Sequence, residues 1–388
     1  MSETNVNLGR LALGYAPLLN KGNDVLGTRV TLMPLRADAE LDAAPLLQVL
    51  EEFLGSQPVV LNVQHEALLR DLVQMPLPEA WRLELPAFLA ADASLAAPLE
   101  TLRRRQALLL RGTATAPSAQ QTVVLDADQL AHHLAQGQVL SNPVLLCSVR
   151  GQTALAQAFE RGASGVMGWP MGGHYEALAD QTRQDVGADL RVIMDLMSKV
   201  DQGEDVEQLE TTLKRDPNLA FRLLRYMNSA AFGLPVEVSS FRHALMLLGY
   251  GRLKRWLALL LATASKDARL RPIMFAALRR GLLLEELGQS LSDATQRDEL
   301  FICGLFSLLD HLLQQPFAQL LDSIPVPQRV HQALVEHSGP YLPYVQLAQA
   351  IEAESLFDIR DTATALMITQ SEITRAVLCA LAKAHVLS

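Results

Sequence analysis

Cysteine is scarce: 388 residues hold three, Cys147, Cys303 and Cys379, far apart in apolar surroundings. They form neither an even-numbered framework nor a metal-ligand spacing, so a disulfide-stapled module and a cysteine metal cluster are both excluded. The start, MSETNVNLGR, lacks the basic-then-apolar pattern of a secretory signal. Long apolar runs are missing too: WLALLLATA, nine residues, is about half of the roughly 20 that a bilayer span requires. These absences predict a cytoplasmic protein with buried free thiols and no membrane span. No glycine-rich phosphate loop, GxSxG elbow, CxxC pair or HExxH run occurs.

What is present is an ordinary globular composition, 49% hydrophobic and 19% charged, long enough for two or three domains. The formal charge of -9 argues against a general nucleic-acid coat. The charge is uneven: residues 191–280 carry 15 Lys and Arg against 9 Asp and Glu, whereas 281–388 carry 5 against 13. This local basic excess reads either as solvated helix faces or as a binding patch.

Eight strand-like runs fill the first 170 residues: 11–19, 26–35, 58–63, 81–85, 107–111, 122–126, 143–148 and 164–169. Helical patterns separate most of them, as in APLLQVLEEFL and ADQLAHHLAQG. Continuous apolar strands alternating with helices predict a parallel α/β sheet, and eight strands suggest a barrel. The interval is short for a (β/α)8 barrel of about 250 residues, so an incomplete or trimmed one is expected. Residues 171–190 begin with paired glycines, turn polar and read as the domain connection; His174 and Tyr175 within it have no assignable role. His132 and His133 fall on a predicted polar helix and are expected in solvent. From about 191 onward helical periodicity takes over, predicting an all-α domain over 191–388. Val206, Leu209 and Leu213 share one face, and Leu253, Trp256, Leu257, Leu260 and Leu261 another. Asp216-Pro217 is an N-cap and first-turn pair, and Gly249 and Gly251 predict a helix break.

The run RDPNLAFRLLRYMNSAAFGLPVEVSSFRHALMLLGYGRLKRWLALLLATA resembles the start of an HDOD domain, a noncatalytic relative of the HD-type metal phosphohydrolases. With an α/β domain in front, the whole chain resembles the two-domain EAL-HDOD signalling proteins of bacteria. That resemblance implies a modified barrel related to cyclic di-GMP phosphodiesterases, which use two metal ions held by carboxylates and an asparagine. Here the second strand has no carboxylate from Thr31 to Leu35; Asn62 and Glu84 match the third- and fourth-strand ligands, and Gly168 the last-strand glycine. The fifth-strand aspartates are missing near LLLRGT, and Cys147 and Ser148 stand at the seventh-strand glutamate. In the helical half the implied His-Asp pair falls on Ser307-Leu308, and Asp310-His311 has the reverse order. A degenerate EAL-like barrel without catalytic residues, metal or cofactor is therefore expected. Its partners would be other signalling proteins. Cyclic di-GMP binding or hydrolysis is the alternative, and nucleic-acid binding through the basic stretch a further one. Arg222, Arg225, Arg252 and Arg255, spaced to share helix faces in pairs, are the candidate partner surface. Their alternative role is pairing with acidic residues of 281–388.

Overall fold

The computed structural model describes residues 8–112, 120–136, 142–172, 188–213, 241–263, 267–291, 293–321 and 326–387. Its contacts divide it into two compact units: one gathers Met1–Gly173, Asp267–Phe275 and Gln346–Ser388, the other His174–Lys266 and Ala276–Val345. The sequence had drawn one helical domain over 191–388, whereas the contacts place the C-terminal residues with the barrel.

All eight expected strands form: β1 Leu11–Leu19, β2 Val25–Pro34, β3 Val59–Val63, β4 Trp81–Pro86, β5 Leu108–Arg111, β6 Val123–Leu125, β7 Val144–Arg150 and β8 Gly165–Trp169. They close into a barrel in chain order, as the eight-strand reading expects, and of the two forms expected, incomplete or trimmed, the closed one is found. The sheet is not wholly parallel. β1 runs antiparallel to both β2 and β8, and the remaining neighbours are parallel. The cause is local. Only Asn20–Asp24 separate β1 from β2, too few for the dozen or so residues of a parallel crossover. Asn20 Oδ1 accepts from the Asp24 backbone N at 2.9 Å, and Asn23 takes the left-handed conformation, closing the hairpin.

Outside lie α1 Ala43–Leu54, α2 Glu66–Val73, α3 Ala96–Arg104, α4 Ala127–Ala135 and α5 Gln152–Glu160. Asp126 and Gln129 form a reciprocal capping box at the start of α4. That helix buries His133 and leaves His132 in solvent, correcting the expectation that both are exposed. His133 lies on the same face as Leu130, the face turned to the barrel.

A hairpin leaves β1 without a following helix, yet every residue of β1 is buried. The cover comes from the far end of the chain. The last helix of the unit, Gln370–Leu387, packs on β1 and α1, and Thr374 Oγ1 donates to the Leu11 carbonyl at 2.9 Å. Inside the barrel Leu18, Val60, Leu109, Val124, Leu145, Cys147 and Met167 make an apolar plug. Burial pushes the Cys147 thiol up, and burial does the same at Cys303 in the other unit. A charged thiol reagent is therefore expected to leave both unmodified in the folded chain below about pH 9, and to label them on denaturation.

The second unit is helical. Numbering resumes with α6 Ala188–Asp201, α7 Val206–Leu213, α8 Phe241–Thr263, α9 Arg271–Leu287 and α10 Ala294–Phe306, of which the second unit takes α9 from Ala276 onward. Asp205 caps α7 through the backbone N–H groups of Glu207 and Gln208. α8 packs on α6 and α10, burying the expected stripe of Leu253, Trp256, Leu257, Leu260 and Leu261. Gly249 interrupts α8 at φ 70° and ψ 170°, backbone open in practice to glycine alone. Gly251 stays helical. The DPN cap and the helix expected over 215–233 lie outside the described residues, as do His174 and Tyr175.

Candidate functional site

The strand ends of the barrel gather the polar residues of the first unit. β2 carries Arg29 and Thr31 inward, and in register Thr31 stands beside Gly14 of β1 and Asn62 of β3. Thr31, Asn62, Glu84 and Arg29 are all buried. Arg29 forks onto Glu84: Nε donates to Oε1 at 2.6 Å and Nη2 to Oε2 at 3.0 Å. Its Nη1 donates to both carboxylate oxygens of Glu354, at 3.0 and 3.1 Å. Thr31 Oγ1 donates to Glu354 Oε1 at 2.7 Å and accepts from Asn62 Nδ2 at 3.3 Å. Arg111 Nη1 completes the chain with Asn62 Oδ1 at 3.0 Å.

Burial works against the Arg29 charge, but the carboxylates of Glu84 and Glu354 outweigh it and hold the guanidinium protonated beyond its ordinary range. Sequence reading looked for a carboxylate from Thr31 onward and passed over Arg29, two positions earlier. The signal was present, a lone charge in the apolar run VLGTRVTLMP. Alternation alone could not say whether it faced in or out. Glu354 was missed because its place in the barrel depends on a contact 325 positions away.

Asn62 and Glu84, the candidates on the third and fourth strands, belong to one hydrogen-bonded chain that runs through Thr31, Glu354 and Arg29. Gly168 lies opposite Val149, where β7 bulges at Ser148. Ser148 takes φ 60° and is exposed beside a cavity of about 70 Å³ that Arg29, Arg150, Gly168, Trp169 and Glu354 also line. A wider cleft, about 830 Å³, runs outside the barrel along α1 and α2, where Arg10 donates to the Glu40 carbonyl.

In the helical unit, Ser307 accepts from Arg280 Nη1 at 3.0 Å and donates to the Gly304 carbonyl at 2.7 Å. Both partners are buried. A guanidinium and a hydroxyl thus meet where the resemblance had implied a His-Asp pair. Asp310 is buried, and its Oδ1 accepts from the His311 backbone N at 2.8 Å. Among the described residues no three His, Cys, Asp or Glu side chains are grouped to hold a metal ion.

Of the four candidate surface arginines, Arg222 and Arg225 lie outside the described residues. Arg252 is exposed. Arg255 is not a free surface cation: it forks onto Glu285 at 2.5 and 2.7 Å, stands 3.5 Å from Asp298 and lies 3.9 Å over the Phe301 ring. For this residue pairing with acidic residues of 281–388 replaces the partner-surface reading. Arg255→Glu should lower stability by about 2 kcal/mol, since it removes charge-assisted bonds and sets like charges together. Arg252→Glu should stay within about 0.5 kcal/mol. Paired urea melts of the two variants check this.

No single helix among the described residues is long and apolar enough to cross a membrane. No solved structure matches the chain. Two curated proteins are similar over part of it. "Cyclic di-GMP phosphodiesterase CdgJ" of Vibrio cholerae is 29% identical over 162 residues, 42% of this chain and 38% of that protein. "Uncharacterized protein YuxH" of Bacillus subtilis is 28% identical over 155 residues, 39% of this chain and 37% of that protein. The chain thus spans less than two-fifths of the length of either relative. Residues 189–319 match the HDOD domain family. The chain is a closed eight-stranded barrel followed by a helical region that carries an HDOD domain.

Proposed function

We propose that this is a noncatalytic signalling protein of the EAL-HDOD kind, acting through protein partners. In this reading the barrel is a degenerate relative of cyclic di-GMP phosphodiesterases. The observation that carries it is Arg29 forked onto Glu84. Two-metal hydrolysis of a phosphodiester needs carboxylates free to hold two divalent ions and activate water. Here the Glu84 carboxylate is already neutralised by a permanent cation whose planar fork takes both of its oxygens. Asn62 is bound up with Thr31 and Arg111. A cavity of about 70 Å³ at the mouth is also far below the roughly 300–1,000 Å³ of ordinary ligand pockets. This weighs against the alternative of residual cyclic di-GMP binding. The HDOD part supports an effector role through its match to that domain family, and Arg252 remains a candidate contact with partners.

The test is turnover of cyclic di-GMP by the purified chain with Mg²⁺ or Mn²⁺. No hydrolysis above a protein-free control is expected. Multiple turnover abolished by Glu84→Gln would overturn the reading.

A further inference from the structure

Glu354 is held as a ligand is held. Two donors aim at its carboxylate, the Arg29 Nη1 and the Thr31 hydroxyl. The turn that carries it is clamped through the Glu352 carbonyl, which accepts from Arg150 Nη2 at 2.7 Å and Trp169 Nε1 at 3.2 Å. Its backbone is left-handed, φ 54°, a conformation that side chains other than glycine, asparagine and aspartate rarely take. Space is kept for it: a Cβ on Gly14 would stand 2.7 Å from Glu354 Cγ. Three guanidiniums stand at the mouth, Arg29 on Glu84 and Glu354, Arg111 on Asn62 and Arg150 on the Glu352 carbonyl, against three glutamates, Glu84, Glu352 and Glu354. Without Glu354 this balance tips to positive by one charge.

We infer that the barrel mouth is a binding site for a small tetrahedral oxyanion of phosphate size and charge, with Glu354 as its built-in occupant. A guanidinium nitrogen, here Arg29 Nη1, beside a hydroxyl is a constellation that suits phosphate oxygens as well as carboxylate oxygens. The adjoining cavity of about 70 Å³, bounded by Arg29, Ser148 and Arg150 and also by Glu352, has room for such a group and not for a nucleotide. In the wild-type chain a tethered carboxylate competes at high effective concentration, so a free anion binds weakly. This inference goes beyond the signalling role and does not depend on the barrel being noncatalytic.

The test is isothermal titration of the full chain with inorganic phosphate at low ionic strength. Glu354→Gly removes the competing carboxylate while leaving a residue at ease at φ 54°. It should bind phosphate at least about tenfold more tightly than wild type. Adding Thr31→Val should weaken that binding by roughly fivefold, as the loss of one hydrogen bond implies. Glu354→Gln keeps the size of the side chain and removes only its charge. It secures the reading if the glycine variant does not fold, with a gain of at least about threefold expected. Phenyl phosphate forms a second arm. Binding of phosphate alone assigns a free anion, and binding of both assigns the phosphoryl end of a larger molecule; either supports the site. Phosphate affinity no higher than wild type in both Glu354 variants overturns it, as does a gain indifferent to Thr31→Val.

Discussion

Arg29→Met is expected to destabilise the folded chain by about 3–5 kcal/mol, the usual cost of stripping one partner from a buried ion pair. Arg29 and Glu84 have side-chain exposures of 5% and 0%, so water cannot take over the lost contacts. The variant leaves a fully buried Glu84 carboxylate without the two charge-assisted bonds that Arg29 gives it. At about 2–4 °C per kcal/mol for a domain of this size, the melting temperature should fall by roughly 10 °C. The double variant Arg29→Met/Glu84→Leu should recover most of that loss, because the unpaired buried charge is gone. Circular dichroism melts of the two variants decide the matter. A single-variant loss below about 1 kcal/mol would mean that the pair is solvated and that the mouth is open.

The second large effect is expected at Gly168. An added Cβ would stand 2.2 Å from the Val149 carbonyl oxygen and 2.9 Å from its C and N, so no rotamer can relieve the clash. β7 and β8 must part where the barrel bulges at Ser148. Gly168→Ala should therefore cost about 3 kcal/mol, the upper end of ordinary overpacking. Gly172→Ala is the control, since its Cβ would meet nothing nearer than 3.8 Å. It should change stability by no more than about 0.5 kcal/mol. Equal effects at the two positions would show that Gly168 is not held by close backbone approach.

The strands were legible because each is a short, continuous apolar run, and a run buried on both faces has one plausible place, the inside of a sheet. The direction of β1 was also within reach. Asn20–Asp24 is a hairpin-length connection rich in turn residues, but the helices elsewhere drew the reading toward a uniform parallel sheet. What covers β1 was not legible, since Thr374 reaches Leu11 across 363 positions and helical periodicity does not name its partner. The site followed the same division. Asn62 and Glu84 were singled out through the family resemblance, which points to polar residues on the third and fourth strands. Arg29 needed the facing of β2, and Glu354 needed the path of the C-terminal chain. Gly249 shows the opposite case, a break read correctly because its backbone conformation is a local property.

In the function proposed above, the Arg29 guanidinium takes at the Glu84 carboxylate the place that a divalent ion would need. The most direct test of this is Mn²⁺ binding by the full chain, followed through the electron paramagnetic resonance of free Mn²⁺ and by metal content after gel filtration. No saturable site and no retained ion are expected, in the wild-type chain and in Glu84→Gln alike. Stoichiometric Mn²⁺ held through gel filtration and lost in Glu84→Gln would contradict the proposed function.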